Sequence, residues 1–393
     1  MFNAEISDEK NMSLYGDESK GVHGHGHNIV VTFLFHGPIN QDDGMVVNVT
    51  IIKEKINELL QERYDHKFLN LDTTPFEKEI PTFEKMVEVL YNDAKKIFEN
   101  EPAKLVACHM CEDWEWEATA YEDGKIERSY YQDFCAARRT FSPHLTVAEN
   151  EKLYGVSARK SGHGHHYNLR VTFRGEPPIE NNQFIADEKV QLVLNKFFRK
   201  YDHRNFNIDI DAFHNKPMTT ETLTQHFFSE LERELPIDRI RLNENSYFFI
   251  EYTKNNRMFM GVKSKFYAAH RLHSNSLSED ANKELYGKCN NLKGHGHTYK
   301  VEMLLEGEYD STTGSIFDLG VVMAQLEDVL HQWNYKHLNL ETDDFKDVIP
   351  TGENICLALW KKLLEVYGEK LDRLSLWETA NNRFTIRKNI EER

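Results

Sequence analysis

Residues 294–308 read Gly-His-Gly-His-Thr-Tyr-Lys-Val-Glu-Met-Leu-Leu-Glu-Gly-Glu, and the chain carries this stretch twice more in altered form. GHGHHYNLRVTFRGE begins at Gly162 and HGHGHNIVVTFLFHG at His23. In the third copy His295, His297, Tyr299, Val301, Met303 and Leu305 alternate with Gly296, Thr298, Lys300, Glu302, Leu304 and Glu306. That period of two is the pattern of a half-buried strand. Three more landmarks recur in step. YDHKFLNLD from Tyr64, YDHRNFNID from Tyr201 and NYKHLNLE from Asn334 follow, with Asp65, Asp202 and Asn334 lying 40, 39 and 39 residues beyond His25, His163 and His295. A Thr-x-Glu opens a helical pattern at Thr82/Glu84, Thr219/Glu221 and Thr351/Glu353, and a late glutamate follows at Glu112, Glu244 and Glu378. A fixed spacing repeated three times is a triplication, with units averaging about 131 of the 393 residues. The units read as 1–125, 126–257 and 258–393, with polar turn residues near Gly124–Ser129 and Asn255–Arg257.

Within the third unit, Met260 to His270 alternates so that Phe266, Ala268 and His270 share one face. Asp318 is placed to cap a helix with Val322, Leu326, Val329 and Leu330 on its apolar stripe. A second helix follows Thr351, with Ile355, Leu359 and Leu363 inside, and two strands follow, one ending at Glu378 and one around Phe384. The pattern predicts an α+β unit, an antiparallel sheet with helices on one side.

Composition narrows the function. The 48 basic and 64 acidic residues give a net charge of −16, which repels phosphate backbones and anionic lipid, so no nucleic-acid partner is expected. The longest strongly apolar run, Ile29 to Phe35, is far short of the roughly 20 residues of a spanning helix, and no leader of secretory type opens the chain. Five cysteines in a chain this long predict free thiols and a reducing cytoplasm. Cys108 and Cys111 stand without a second pair in a strand-like stretch and read as ordinary buried thiols.

On a strand, His295 and His297 project to one side, and His270 ends the preceding strand in phase. Three imidazoles with an open fourth position are the ligand set of catalytic zinc. The second unit has Arg138 at the place of His270, and the first begins Met1-Phe2-Asn3-Ala4-Glu5-Ile6 with no histidine there. A guanidinium has no lone pair to offer a metal, so one complete three-histidine site per chain is expected. Cys289 lies six residues before His295, where a thiolate beside zinc can act as a base. Asp65-His66 and Asp202-His203 each pair an imidazole with a carboxylate, whereas the third unit has Asn334-Tyr335. The unit with the zinc ligands and Cys289 lacks Asp-His, and the units with Asp-His lack the rest.

FYAAHRL, LSEDANKELYGKCNNLKGHGHTYKVEM, TGSIFDL, PTGENICLALW and LWETANN in the third unit resemble the 6-pyruvoyl tetrahydropterin synthases and the related 6-carboxytetrahydropterin synthases. The resemblance covers that unit almost end to end and the other two more weakly. It implies the tunnelling fold, in which four-stranded antiparallel sheets with two helices close a β-barrel of three units; here all three would come from one chain as a pseudo-trimer. It implies zinc on His270, His295 and His297, and Cys289 as proton acceptor. It also implies an Asp-His pair brought from another unit, and a pterin ring held by the Thr351/Glu353 motif and Glu378. The expected activity is conversion of 7,8-dihydroneopterin triphosphate to 6-pyruvoyl tetrahydropterin with loss of triphosphate. The alternatives are the carboxy-forming relative of deazapurine synthesis, a dihydroneopterin side-chain lyase, and a non-catalytic pterin-binding protein. The family's stacked hexamer becomes, in a triplicated chain, a homodimer of pseudo-trimers.

Overall fold

A computed structural model of the chain describes residues 2–4, 25–112, 116–177 and 182–388. The first unit contributes β1 (Phe2–Ala4), β2 (His25–His27), β3 (Val30–His36), β4 (Lys67–Phe68), β5 (Lys104–Glu112) and β6 (Trp116–Tyr121). The second contributes β7 (Ile126–Arg138), β8 (His163–Gly175), β9 (Arg204–Asn205), β10 (Arg239–Asn243) and β11 (Phe248–Thr253). The third contributes β12 (Met258–His270), β13 (His295–Gly307), β14 (Lys336–His337), β15 (Leu371–Thr379) and β16 (Asn382–Arg387). Each unit carries two long helices between its second and third main strands, Val49–Arg63 and Phe83–Ile97, Asp187–Tyr201 and Thr220–Leu231, and Leu319–His331 and Gly352–Tyr367.

The main strands form one continuous sheet in the order β3-β5-β6-β7-β8-β10-β11-β12-β13-β15-β16, with every neighbour along this path antiparallel. Helix starts follow the predicted capping chemistry. Asp318 accepts from Gly320 and Val321 amides, and Thr82, Thr219 and Thr351 accept from the amides three residues on. Val322, Leu326, Val329 and Leu330 of one helix and Ile355, Leu359 and Leu363 of the next are buried against the sheet. The helices cover one sheet face only.

The other face lines a cavity of about 2510 Å³. Alternate strand residues that read as polar in sequence meet there as ion pairs. Arg239 holds Glu127 at 2.6 Å, Arg241 reaches Glu251 at 3.3 Å, Arg373 reaches Glu302 at 3.1 Å, and Arg170 pairs with Glu117. Burial opposes ionisation of Glu127, but Arg239 and Arg174 hold its carboxyl down to about 2.

The expected barrel meets one difference, since β3 and β16 are the two ends of the sheet and are not paired. In the second and third units the 13-residue strands β7 and β12 bridge the preceding unit to their own. Among the described residues their counterpart β1 spans three residues and pairs with β2 and β4 and not with β16.

Loops nevertheless link the units in a cycle. Thr351 Oγ1 donates to the Gly44 carbonyl and Val46 N–H to Glu353, from the first unit to the third. Thr219 donates to the Gly314 carbonyl, and Ile316 N–H lies 3.4 Å from Glu221. Thr82 donates to the Asn182 carbonyl, and Phe184 N–H lies 3.5 Å from Glu84. The same clasp thus occurs at all three junctions, including the one where the strands do not pair.

Each clasp buries a glutamate, and burial pushes the Glu84, Glu221 and Glu353 carboxyls up to about 7 from 4.5. The folded chain keeps protons there that the unfolded chain releases between those values. Their stabilising contribution is therefore full below 4.5 and is lost as pH rises through 7. Glu221→Gln retains the acceptor for Ile316 N–H and removes the titration. The variant should melt near wild type at about pH 4.5 and higher at about pH 8, by on the order of 3 kcal/mol. Superimposable melts at the higher pH would count against this.

Candidate metal and pterin site

Three corners of the molecule share one construction. The β12–β13 register sets His270 opposite His295 and Ala268 opposite His297. The β7–β8 register sets Arg138 opposite His163, and β1–β2 sets Ala4 opposite His25. In each unit the second histidine of the HGH element approaches the late glutamate. His27 lies 2.7 Å from Glu112, His165 3.4 Å from Glu244 and His297 3.9 Å from Glu378.

Among the described residues only the third corner gathers three imidazoles. Ring centroids of His270, His295 and His297 lie 4.5, 5.1 and 4.8 Å apart, and one ligand nitrogen from each falls within 4.8 Å of the others. His270 is fully buried, and burial pushes it down to about 3, so it is the neutral, ligating form. Its Nδ1 lies 2.7 Å from the Pro350 carbonyl, which takes an N–H and leaves Nε2 facing His295 Nε2 at 3.1 Å. A carbonyl that engages the far ring nitrogen in this way orients metal-binding imidazoles. Tetrahedral zinc places two nitrogens about 3.4 Å apart, and His295 Nδ1 and His297 Nε2 are buried with no hydrogen-bond partner. The residues fit a zinc ion.

At the second corner Arg138 donates to Glu244 and to Thr220, so a guanidinium stands where the third unit presents an imidazole. Burial, with Arg138 adding to it, pushes His165 down to about 4.

Around the three histidines, Cys289 sits in a short 3-10 turn, and burial together with the Glu378 carboxylate raises its thiol above the usual range. A cation on the imidazoles acts in the opposite sense. Glu378 Oε1 lies 3.6 Å from His270 Nε2. Glu353 is placed beside the first unit's loop by its bond from Val46 N–H. The Thr351 hydroxyl is buried and engaged, capping its helix and donating to Gly44.

The structure leaves both Asp-His pairs within their own units. Asp202 accepts from Cys135 N–H at 2.8 Å and lies 2.8 Å from His203 Nδ1, and Asp65 lies 2.9 Å from His66 Nδ1. Both histidines are exposed, with side chains 83% and 80% accessible, and no hydrogen bond or ion pair joins either to the three-histidine cluster among the described residues. In the third unit Asn334 accepts from Tyr267 N–H at 3.0 Å, which preserves the backbone role of Asp202 without its charge. His66, His203 and Tyr335 share a left-handed backbone, with φ of 57°, 56° and 60°.

Two neighbours were not singled out in the sequence. Pro350 acts through its carbonyl, which no residue-type motif signals. His337 lies close enough to add to the lowering of His270, and it stands where the second unit has Asn205 and the first has Phe68. A histidine confined to the unit with the full ligand set was the available signal.

The family model for 6-pyruvoyl tetrahydropterin synthase matches this chain three times, at residues 9–123, 127–255 and 260–389. The chain belongs to the 6-pyruvoyl tetrahydropterin synthase family. It is 39% identical over 124 residues to a putative 6-pyruvoyl tetrahydrobiopterin synthase of Caenorhabditis elegans, covering 31% of this chain and 89% of that protein. It is 39% identical over 119 residues to the 6-pyruvoyl tetrahydrobiopterin synthase of Homo sapiens, covering 30% and 82%. A solved structure of the Caenorhabditis elegans 6-pyruvoyl tetrahydropterin synthase shares 37% identity over 33% of this chain and 95% of that one, with a TM-score of 0.32. Among the described residues no helix is long and apolar enough to cross a membrane.

Proposed function

We propose that the chain is a zinc-dependent lyase that converts 7,8-dihydroneopterin triphosphate to 6-pyruvoyl tetrahydropterin and triphosphate at its third unit. The observation that carries this reading is the convergence of three imidazoles beside Glu378, whose carboxylate also acts on Cys289 and Glu353. When bound by His270, His295 and His297, zinc supplies Lewis acidity to the hydroxyls of the substrate side chain. Glu353, half-neutral near pH 7, can donate to and accept from the polar edge of the pterin and fix its orientation. Cys289 takes and returns the proton on the side chain, and Glu378 stands beside it as a second acceptor. The Asp-His imidazole comes from another unit, because the third unit offers Tyr335. Thr351 serves by holding the first unit's loop against Glu353. The reaction takes place in the cytoplasm, in keeping with the reduced cysteines.

The test is product analysis with purified protein. Release of triphosphate with 6-pyruvoyl tetrahydropterin is expected. A 6-carboxy product moves the chain to the relative of deazapurine synthesis, and tight pterin binding without turnover makes it a binding protein.

Cys289→Ala should cost about a hundredfold or more in rate, the range of a lost general base, while zinc stays bound. Near-normal turnover by that variant would remove Cys289 from the mechanism.

The clasped ring is read here as a closed pseudo-trimer that pairs back to back. Leu71, Ile208 and Leu340 stand exposed at equivalent places near His66, His203 and Tyr335, an apolar set suited to a second copy. Light scattering should give twice the 46.2 kDa of one chain, and a monomer at working concentration would refute the pairing.

A further inference from the structure

Strand β5 carries Cys108-His109-Met110-Cys111, and the alternation of a strand separates its two thiols. Cys108 and Met110 are buried in the first unit's core, whereas His109 and Cys111 face the central cavity. Reading both cysteines as buried packing residues therefore holds for Cys108 and fails for Cys111. On β6 the register sets Thr119 opposite His109 and Glu117 opposite Cys111, so four side chains make a compact patch on the cavity wall.

We propose that His109, Cys111 and Glu117 form a second metal site, for a thiophilic divalent ion of the zinc class. One ligand atom from each lies within 4.8 Å of the other two. His109 Nδ1 lies 3.0 Å from Thr119 Oγ1, which engages that nitrogen and leaves Nε2 turned to Glu117 Oε2. The 3.9 Å between those two atoms is too long for a hydrogen bond. Tetrahedral zinc requires about 3.4 Å between a nitrogen and an oxygen ligand, so a movement of about half an ångström closes the site. Tyr131 donates to Glu117 Oε2 at 2.7 Å and Arg170 pairs with the same carboxylate, holding it in place as outer-shell partners do.

Charge sets the class of ion. The Arg170 guanidinium opposes a cation, and only a ligand set with a thiolate and a carboxylate offsets it. Hard ions such as calcium and magnesium gain nothing from the thiolate and are excluded. The site is peculiar to the first unit. The matching registers hold Arg241, Asn243 and Phe249 in the second and Ser375, Trp377 and Arg383 in the third. The inference stands apart from the pterin reaction, since it uses none of its residues.

Cobalt distinguishes the two sites, because a thiolate ligand gives a near-ultraviolet charge-transfer band that three imidazoles do not. The reduced, metal-free chain titrated with cobalt should take up two equivalents and show that band. Cys111→Ser should lose the band and one equivalent, whereas His297→Ala should lose one equivalent and keep the band. Absence of the band in the wild type overturns the site. So does a band that survives Cys111→Ser and vanishes in Cys289→Ser. Should Cys111→Ser fail to fold by circular dichroism, His109→Asn decides. It should bind the band-giving cobalt at least about tenfold more weakly, and unchanged affinity overturns the proposal.

Discussion

His297→Ala should release the metal of the third unit and abolish pterin turnover without unfolding the chain. In the proposed site the ring is one of three ligands, and two imidazoles would leave a tetrahedral ion half-held. A Lewis acid is worth several kcal/mol to such a reaction, so the rate should fall by about a thousandfold or more. The fold should survive because the side chain stands on the sheet rather than in it. Its Nε2 is buried without a hydrogen-bond partner, so truncation breaks no hydrogen bond at that atom in the metal-free chain. Bound metal itself adds stability by mass action, which sets the right comparison. Melting temperatures of variant and wild type should coincide in the presence of a chelator and separate when zinc is added. Retained zinc with retained activity would show that the ion sits elsewhere, and a collapsed fold in chelator would make His297 a structural residue.

The strands and helices of the third unit were legible because each has one face to bury. Phe266, Ala268 and His270 could be placed on one side from their spacing alone, and Leu326 and Leu359 on the core side of their helices. The same parity brought His270, His295 and His297 together. What stayed hidden lay on the opposite face. Arg170, Arg239, Arg241 and Arg373 line the cavity, and nothing in a period of two tells a cavity wall from open water. Cys111 was obscured differently, since a pair of cysteines three residues apart suggests partners, while strand geometry sends them to opposite faces. The unpaired edge between β3 and β16 is a matter of backbone pairing, and the clasp at Gly44 depends on main-chain carbonyls. Neither leaves a mark in residue type. Asn334 shows the limit of reading a motif by charge. The aspartate it replaces also anchors a backbone amide, and the amide side chain keeps that anchor at Tyr267 while giving up the acid.

That division of labour leads to the second large effect expected. The third unit supplies the imidazole cluster, Cys289 and Glu378, but where the other units have the Asp-His imidazole it has Tyr335, and a phenol is a poorer proton carrier than an imidazole at neutral pH. The other two units keep the Asp-His pair, with Asp65 and Asp202 against His66 and His203 at hydrogen-bond distance. Both pairs are built alike, on the same left-handed residue, and both rings are exposed rather than committed to their own corner. The second unit's own corner cannot use its pair, because Arg138 fills it, and no third imidazole stands at the first unit's corner among the described residues. A single three-histidine site can be faced by only one of the two pairs, whether it reaches across the ring or from a second copy of the chain. One of His66→Ala and His203→Ala should therefore remove most activity, by about a hundredfold or more, and the other should be nearly silent. Neither should alter zinc content or the melting temperature, since an exposed ring contributes little to either. Steady-state rates on the two variants decide the matter. If both keep full activity, no relay crosses between units, and His337, the histidine that only the third unit places near its own cluster, becomes the group to test.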